Sequence, residues 1–357
     1  MTTPSPHLTG DSDLFTDLSP AFGLLDHAAM PAVAAAVVTR GGVLREYHRG
    51  IANLDTGEPL TRDHAFDLAS LTKVLVTLPE VLRLLEEGAL STTDPLSLHL
   101  PDAGWMLGAS SLGNATIGQL LAHTSGLPAW IPLYAHPADR SSLLARVLQT
   151  PLARPPGETC EYSCLGYIAL GTLVERLTGH QLDDLAERRG WVTYHPRGPA
   201  VATERCPWRQ RLLQGEVHDE NACALGGVSG NAGAFGRLED VCRAARAWLT
   251  TAVSPATHEL MTRQWSTDAA GLPRGLGWLL GHPGCFAGDL SSSRGYGHTG
   301  FTGTSLWVEP ERGYAVVLLT NRVHPTRHAG DAIFHLRRRF GNAVHAAWRG
   351  ASRSGWT

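Results

Sequence analysis

Strand-like segments lie near both ends of this chain, and helical segments occupy its middle. Apolar and β-branched residues that flank short turns predict strands at residues 33–40, 43–48, 304–309 and 313–321. Apolar positions with helical spacing predict helices at residues 14–30, 71–87, 117–121, 141–148, 165–177, 238–250 and 331–344. Strands bury their apolar side chains by packing into a sheet covered by a second layer. The two strand pairs are therefore expected to meet in one sheet assembled from both ends of the chain.

The predicted fold class is α+β, equally described as an α/β sandwich. We expect a central antiparallel sheet built from N-terminal and C-terminal segments and flanked by terminal helices, with a mostly helical inserted domain. The chain has 357 residues, 43% of them hydrophobic, which is long enough for two domains. Residues 1–65 and 266–357 are predicted to form the domain that contains the sheet. Residues 66–265 are predicted to form the helical domain, with the active site at the interface.

Charge and composition exclude several classes of partner. A net charge of -3 provides no electrostatic attraction for nucleic acid or for an anionic membrane surface. No run of eighteen apolar residues predicts a membrane span. The polar, acidic N-terminus lacks the basic and apolar regions of a secretory signal, so a cytoplasmic location is expected. Six cysteines in a chain of this length do not suggest a disulfide framework.

Position 73 holds the single lysine of the chain, and the other 29 basic residues are arginines. An arginine guanidinium stays protonated, whereas a desolvated lysine amine can lose its proton and act as a base. Ser70 precedes Lys73 by three residues at the start of a predicted helix, so the hydroxyl and the amine are expected on one helix face. The pair has two interpretations: a nucleophile with its base, or a helix-capping serine followed by an exposed lysine.

Two further segments favour the catalytic interpretation. Residues 161–167 read EYSCLGY and place Tyr162 just before a helix, and residues 295–303 read GYGHTGFTG and precede a strand. Together with Ser70-x-x-Lys73, in this order and at these distances, the segments resemble the three signature motifs of the serine β-lactamase and penicillin-binding protein superfamily. Four supporting segments resemble its esterase and D-aminopeptidase branch, which is related to class C β-lactamases: residues 66–69, 123–128, 215–221 and 226–233.

The resemblance implies a β-lactamase/transpeptidase-like fold and an acyl-enzyme mechanism without a cofactor or a metal. Ser70 would attack a carbonyl, and Lys73 and Tyr162 would share the proton. The backbone N–H groups of Ser70 and Phe301 would form the oxyanion hole. The positions implied to bind the substrate are Cys164, His298, Thr299 and Gly300. The substrate would be a small ester, an amide or a β-lactam.

Two of these positions depart from the pattern of penicillin-binding enzymes. Cys164 stands where those enzymes usually have Asn, and a thiol cannot replace an amide that binds an acylamino group. His298 stands where Lys is common, and a histidine near neutral pH is a poorer fixed partner for a substrate carboxylate. Both departures favour esters and uncharged amides as substrates over penicillins.

Two other histidine-containing segments receive structural interpretations. Residues 123–126 are predicted to form a turn held by side-chain hydrogen bonds to its own backbone. Residues 218–220, which read HDE, are predicted to form a polar loop at the rim of the site, because the spacing of a metal-binding helix is missing.

Three functions are compatible with the sequence. The leading one is a serine hydrolase of small esters or amides, similar to the β-lactamase-like carboxylesterases. The second is a β-lactamase or D-amino-acid peptidase acting on β-lactams or wall peptides. The third is a non-catalytic binding or sensing protein with the same fold, which the presence of Ser70, Lys73 and Tyr162 together disfavours.

Overall fold

The structure, a computed structural model, describes residues 14–349. Residues 1–13, which belong to the predicted sheet-containing domain, and residues 350–357 lie outside the described range. The strands, numbered β1 to β13, are Ala32–Thr39, Val43–Asn53, Glu58–Pro59, Phe66–Asp67, Ala202–Cys206, Arg211–Gln214, Phe235–Gly236, Ser266–Thr267, Pro273–Arg274, Leu279–Leu280, Tyr296–Thr299, Ser305–Glu309 and Tyr314–Thr320. The α-helices, numbered α1 to α11, are Ser19–Gly23, Leu78–Glu86, Leu96–His99, Ile117–Leu121, Arg140–Leu148, Cys164–Thr178, Leu182–Arg189, Glu220–Ala224, Leu238–Thr250, Pro255–Thr262 and Ala332–Ala347.

Nine strands form one antiparallel sheet in the order β3-β2-β1-β13-β12-β11-β10-β9-β8. Strand β1, from the N-terminal part of the chain, pairs with β13, from the C-terminal part, over seven consecutive residue pairs from Val33↔Thr320 to Thr39↔Tyr314. The sheet is therefore assembled from both ends of the chain, and the predicted α+β class with its large antiparallel sheet is confirmed. The division into domains at residues 65 and 266 stays a prediction.

The side chains of β1 alternate between two hydrophobic cores, because successive side chains of a strand point to opposite faces of the sheet. Ala34, Ala36 and Val38 face the core that contains the middle helices. Val33, Ala35 and Val37 face a second core that the terminal helices α1 and α11 cover. Burial on both faces explains why this strand reads as a continuous apolar run rather than as an alternating pattern.

The predicted helices differ from the observed ones in two places. The predicted helix over 14–30 is reduced to α1 and a 3-10 turn, Leu24–His27. It begins late because Pro20 favours the first turn of a helix, and it ends early because Met30 precedes Pro31 and is biased towards extended backbone. A single helix is predicted over residues 71–87. The structure instead has three successive elements there: a 3-10 turn, Ala69–Leu71, a π-helical turn, Lys73–Thr77, and helix α2.

Pro79 accounts for the second difference. It has no N–H group to donate to the carbonyl four residues earlier, so the α-helical hydrogen-bond ladder cannot run uninterrupted through this point. The wider π turn lies immediately before α2, and it carries Lys73. Single π turns inside helices occur frequently at functional sites.

Within the described residues, no helix combines the length and apolar character needed to cross a lipid bilayer.

Helix α6 packs closely against residues 229–231, which lie behind the π turn. A Cβ atom added to Gly230 would overlap the carbonyl oxygen of Tyr167 and would lie 3.0 Å from the Cα of Gly171. The Gly230 carbonyl accepts a hydrogen bond from Thr77 Oγ1 at 2.8 Å. The absence of a side chain at position 230 therefore lets this segment lie between α6 and the π turn.

We expect Gly230→Ala to lower the free energy of unfolding by about 1–3 kcal/mol, because the added methyl group overlaps backbone atoms that cannot move aside cheaply. Gly23→Ala is the matched control, since no atom lies within 4 Å of a Cβ atom placed there. Urea unfolding of both variants tests this expectation. A Gly230→Ala variant as stable as Gly23→Ala would contradict it.

Candidate active site

The backbone just before Ser70 is held in an unusual conformation. Ala69 has a φ of 46°, in the left-handed region that residues with a side chain rarely adopt. The buried carboxylate of Asp67 accepts a hydrogen bond from the Ala69 N–H at 2.8 Å and a second one from the His218 N–H at 2.6 Å. These bonds stabilise the strained turn, which starts the helical segment with Ser70 in its first turn.

Lys73 is fully buried, and its amine contacts Ser70 directly. Its Nζ atom lies 3.0 Å from Ser70 Oγ, 2.8 Å from the Asn231 carbonyl oxygen and 3.8 Å from Cys164 Sγ. Burial alone lowers the pKa of Lys73, whereas negative charge on Cys164 and Tyr162 raises it, and the net direction is upwards. A smaller upward contribution comes from the carboxylate of Asp219, whereas burial is the largest single effect and favours the neutral amine.

The third member of the predicted set, Tyr162, lies beside Lys73. Lys73 Nζ is 5.1 Å from the centre of the Tyr162 ring. The Tyr162 hydroxyl is buried and has no hydrogen-bond partner within residues 14–349. The guanidinium of Arg274 lies 5.4 Å from the same ring and pairs with Asp268 at 3.1 Å. A buried phenol that lacks a protein partner is available to a reacting group.

Two backbone N–H groups face the same space as the serine. Neither the Ser70 nor the Phe301 N–H donates a hydrogen bond within the described part of the chain. The loop that carries Phe301 is fixed to the Ser70 turn, because Thr302 Oγ1 donates to the Asp67 carbonyl at 2.7 Å and Thr304 Oγ1 donates to the Leu68 carbonyl at 3.0 Å. These amides can bind a negatively charged oxygen.

Gly300 allows this loop to approach so closely. A Cβ atom at position 300 would lie 2.5 Å from the Leu68 carbonyl oxygen, which is shorter than a van der Waals contact between carbon and oxygen. The Gly300 N–H donates to the Thr304 carbonyl at 2.7 Å, which closes the loop. A side chain at this position would separate the Phe301 amide from Ser70.

His298 is buried and electrically neutral. Its Nδ1 donates to the Thr299 carbonyl at 2.8 Å, which leaves Nε2 as a hydrogen-bond acceptor. Burial, together with the positive charges of Lys73 and Arg274, lowers the pKa of His298 to about 3. At neutral pH this residue is therefore no cationic partner for a substrate carboxylate.

A pocket of about 560 Å³ joins these groups. Every position predicted from the sequence lines it except Lys73, which lies beneath Ser70: the lining positions are Ser70, Tyr162, Cys164, His298, Thr299, Gly300 and Phe301. The sequence did not identify the Asn231 carbonyl, although residues 226–233 include this position, because every residue type supplies a backbone carbonyl oxygen. The sequence also did not identify Arg274, Arg322 and Arg337 as pocket residues, because nothing in the sequence distinguishes them from the other 26 arginines.

Arg322 and Arg337 line the pocket without an acidic partner. Neither guanidinium lies within 4.0 Å of a carboxylate in residues 14–349. Arg337 is only 6% exposed and donates to the Gly300 carbonyl at 3.1 Å and the Thr304 carbonyl at 2.8 Å. Arg322 donates to the Phe301 carbonyl at 2.8 Å. Burial, with a smaller contribution from Arg322, lowers the pKa of Arg337 to about 9. The pair adds two guanidiniums to a pocket that Asp219 and Glu220 also line.

The chain is similar to two curated bacterial enzymes. It is 29% identical over 348 residues to an N-acetylmuramyl-L-alanine amidase of Bacillus subtilis strain 168, covering 83% of this chain and 78% of the relative. It is 30% identical over 307 residues to a putative D-alanyl-D-alanine carboxypeptidase of Escherichia coli K12, covering 72% of this chain and 69% of the relative.

A solved structure and a family model agree on the fold. The hydrolase EstCE1, described as having promiscuous acyltransferase activity, superimposes with a TM-score of 0.73 at 20% identity, covering 92% of this chain and 98% of that chain. The family model described as Beta-lactamase matches residues 22–338, which is most of the chain. The chain therefore belongs to the beta-lactamase family and is a serine hydrolase.

Proposed function

We propose that this protein hydrolyses small esters or amides through an acyl-enzyme on Ser70. The observation that carries the proposal is the 3.0 Å contact between Ser70 Oγ and the buried amine of Lys73, beside the unpaired N–H groups of Ser70 and Phe301. A nucleophile, a base and an oxyanion site thus meet in one pocket.

Ser70, Lys73 and Tyr162 allow a reaction sequence in which every proton that is transferred has a donor and an acceptor. Ser70 Oγ attacks the carbonyl carbon while its proton passes to neutral Lys73 or to the Tyr162 phenolate, and the two amides bind the oxygen that becomes negative. Collapse of this intermediate expels the leaving group, which takes a proton from Tyr162. Water then attacks the acyl carbon and transfers its proton to the same pair. The bond between the acyl carbon and Ser70 Oγ breaks, Oγ takes a proton back from the pair, and a carboxylic acid is released.

A second candidate, a substrate that carries a carboxylate, is favoured by the charge of the pocket. His298 is neutral, so the part of the sequence argument that concerns a missing cation applies to position 298 but not to the rest of the pocket. Arg322 and Arg337 also line the pocket, and neither guanidinium contacts a carboxylate within the described residues. A buried guanidinium that lacks an anion retains its desolvation cost, and binding an anion offsets that cost. The curated relatives, an amidase and a putative carboxypeptidase, agree with a peptide-like amide of this type.

Ser70→Ala is expected to reduce turnover of p-nitrophenyl butyrate to the uncatalysed rate, because within the described residues Ser70 supplies the only serine or threonine hydroxyl in hydrogen-bond contact with Lys73 Nζ. The release of p-nitrophenol reports the rate, and circular dichroism reports whether the fold is intact. An alkyl phosphonate should add one covalent group to the native protein, and peptide mass spectrometry should locate it on Ser70. Undiminished turnover by folded Ser70→Ala protein would falsify the proposal.

Arg322→Gln is expected to discriminate between neutral and carboxylated substrates. For a phenyl ester with a meta-carboxylate on the leaving group, KM should rise about tenfold or more relative to the unsubstituted phenyl ester, since a charge-assisted hydrogen bond contributes about 1.5–3 kcal/mol. Arg294→Gln, an exposed position outside the pocket, is the control and should change neither KM. Equal changes for the two esters would argue against a carboxylate site.

Cys164→Asn tests the departure in the tyrosine motif. Cys164 Sγ lines the pocket and lies 3.8 Å from Lys73 Nζ, so an amide at this position can donate to an acylamino oxygen. The ratio of kcat/KM for an acylamino ester to kcat/KM for p-nitrophenyl butyrate should increase about three- to tenfold, equivalent to one net hydrogen bond. Cys164→Ala serves as the control, because it removes the thiol without supplying an amide. A ratio that stays the same in both variants would show that position 164 does not read the acyl group.

A further inference from the structure

His123 binds the backbone on both sides of Tyr162. The Glu161 N–H donates to the His123 carbonyl oxygen at 2.9 Å, and the Ser163 N–H donates to His123 Nδ1 at 3.1 Å. The residue before Tyr162 and the residue after it are thus attached to one histidine. The segment predicted to be a turn with side-chain hydrogen bonds to its own backbone is also bonded to the tyrosine motif.

The ring of His123 also packs on the phenol itself. Its centre lies 4.5 Å from the centre of the Tyr162 ring, with 37° between the planes, and 5.2 Å from the ring of Tyr167 in α6. The backbone of His123 has a φ of 59°, and this left-handed conformation costs energy for most residues with a side chain. A strained backbone, two hydrogen bonds and a ring contact therefore converge on the position of one phenol.

The geometry specifies the protonation state of this histidine. Because Nδ1 accepts the Ser163 N–H, the ring proton resides on Nε2, which is buried and has no partner within residues 14–349. The groups that face the ring are Lys73 from the π turn, Arg274 from β9, His298 from β11, and the two tyrosines. Burial and the nearby cations hold the pKa of His123 well below its usual value. A second proton would abolish the Nδ1 acceptor and add a cation beside Lys73.

We propose that His123 is a positioning residue that holds Tyr162 against Lys73, so that the phenol can deliver a proton to the leaving group. The proposal rests on the acyl-enzyme function proposed above in one respect only, namely that Tyr162 carries a proton. It extends that function by assigning a role to a residue outside the three signature motifs.

Two esters separate a positioning role from a general structural one. In p-nitrophenyl butyrate the leaving group departs as a stable anion and needs no proton, whereas in ethyl butyrate the leaving alkoxide must be protonated as it departs. Because both esters form the same butyryl-enzyme, kcat/KM, which reports the acylation step, is the quantity to compare. Displacement of Tyr162 should reduce kcat/KM for the ethyl ester much more than kcat/KM for the p-nitrophenyl ester. A structural defect that lowers the amount of active enzyme would reduce both equally.

His123→Phe keeps an aromatic ring but removes the acceptor for the Ser163 N–H. It should lower kcat/KM for ethyl butyrate about 10- to 100-fold, as expected for a displaced catalytic group, with a loss in kcat/KM of less than about threefold for p-nitrophenyl butyrate. His123→Asn keeps a side-chain acceptor and tolerates a positive φ, so its loss on the ethyl ester should be smaller. Tyr162→Phe should show the same selective loss as His123→Phe. His195→Asn, at a histidine whose side chain is 60% exposed, is the matched control and should behave like the unaltered enzyme.

One measurement on the unaltered protein needs no variant to fold. Nitrogen NMR of histidine-labelled protein should include a ring with a bare Nδ1 and a protonated Nε2 at pH 7 that stays neutral as the pH falls below 6.5. His123→Asn should remove that signal wherever the variant folds.

Several results would overturn the proposal: a cationic or Nδ1-protonated His123 at pH 7, equal losses on the two esters, or full activity of folded His123→Phe on ethyl butyrate. These results are distinguishable from failure of the acyl-enzyme proposal, which would appear as undiminished activity of Ser70→Ala on both esters.

Discussion

Lys73 is buried without a carboxylate within ion-pairing distance in the part of the chain that the structure describes, and much of the site is organised around this amine. An isolated ammonium in such a position is costly, and the cost falls if the amine is neutral or if a neighbouring group becomes an anion. Its protein contacts are a hydroxyl, a carbonyl oxygen and a thiol, none of which carries a fixed negative charge. No permanent anion in contact therefore fixes a proton on Lys73, which is the property that the proposed acyl transfer requires.

The elements around this amine are tied together by few, well-defined contacts. The carboxylate of Asp67 fixes the turn that leads into Ser70, and the loop that carries Phe301 is bonded to the same turn through Thr302 and Thr304. Gly230 and Gly300 have no space for a side chain, because backbone atoms occupy the positions where a Cβ atom would lie. Rigid support of this kind keeps the oxyanion donors in place before the reaction begins, so that little reorganisation is needed as charge develops.

The sequence predicted the class of the fold, and it singled out Ser70, Lys73 and Tyr162, which the structure places next to one another. Ser70, Lys73 and Tyr162 act through side-chain groups for which few substitutes exist, so their spacing carries information. The Asn231 carbonyl acts through the backbone, and Arg322 and Arg337 belong to the commonest basic residue of this chain, so neither left a recognisable pattern. The short strands β8 to β10 escaped prediction because two residues are too few to display a strand period. The role of His123 depends on hydrogen bonds to residues about 40 positions away, which no local pattern reveals.

The pairing of β1 with β13 has a consequence for how the chain reaches its native state. Val33 lies opposite Thr320, so one long edge of the N-terminal hairpin remains without its neighbour until almost the whole chain has left the ribosome. Contacts between residues so far apart in sequence form slowly, because a large loop must close before they provide stabilisation. During synthesis the apolar strand β1 therefore presents an unpaired edge of the kind that templates aggregation. A molecular chaperone that shields residues 32–39 until the C-terminal strands arrive would act at the most vulnerable step of folding.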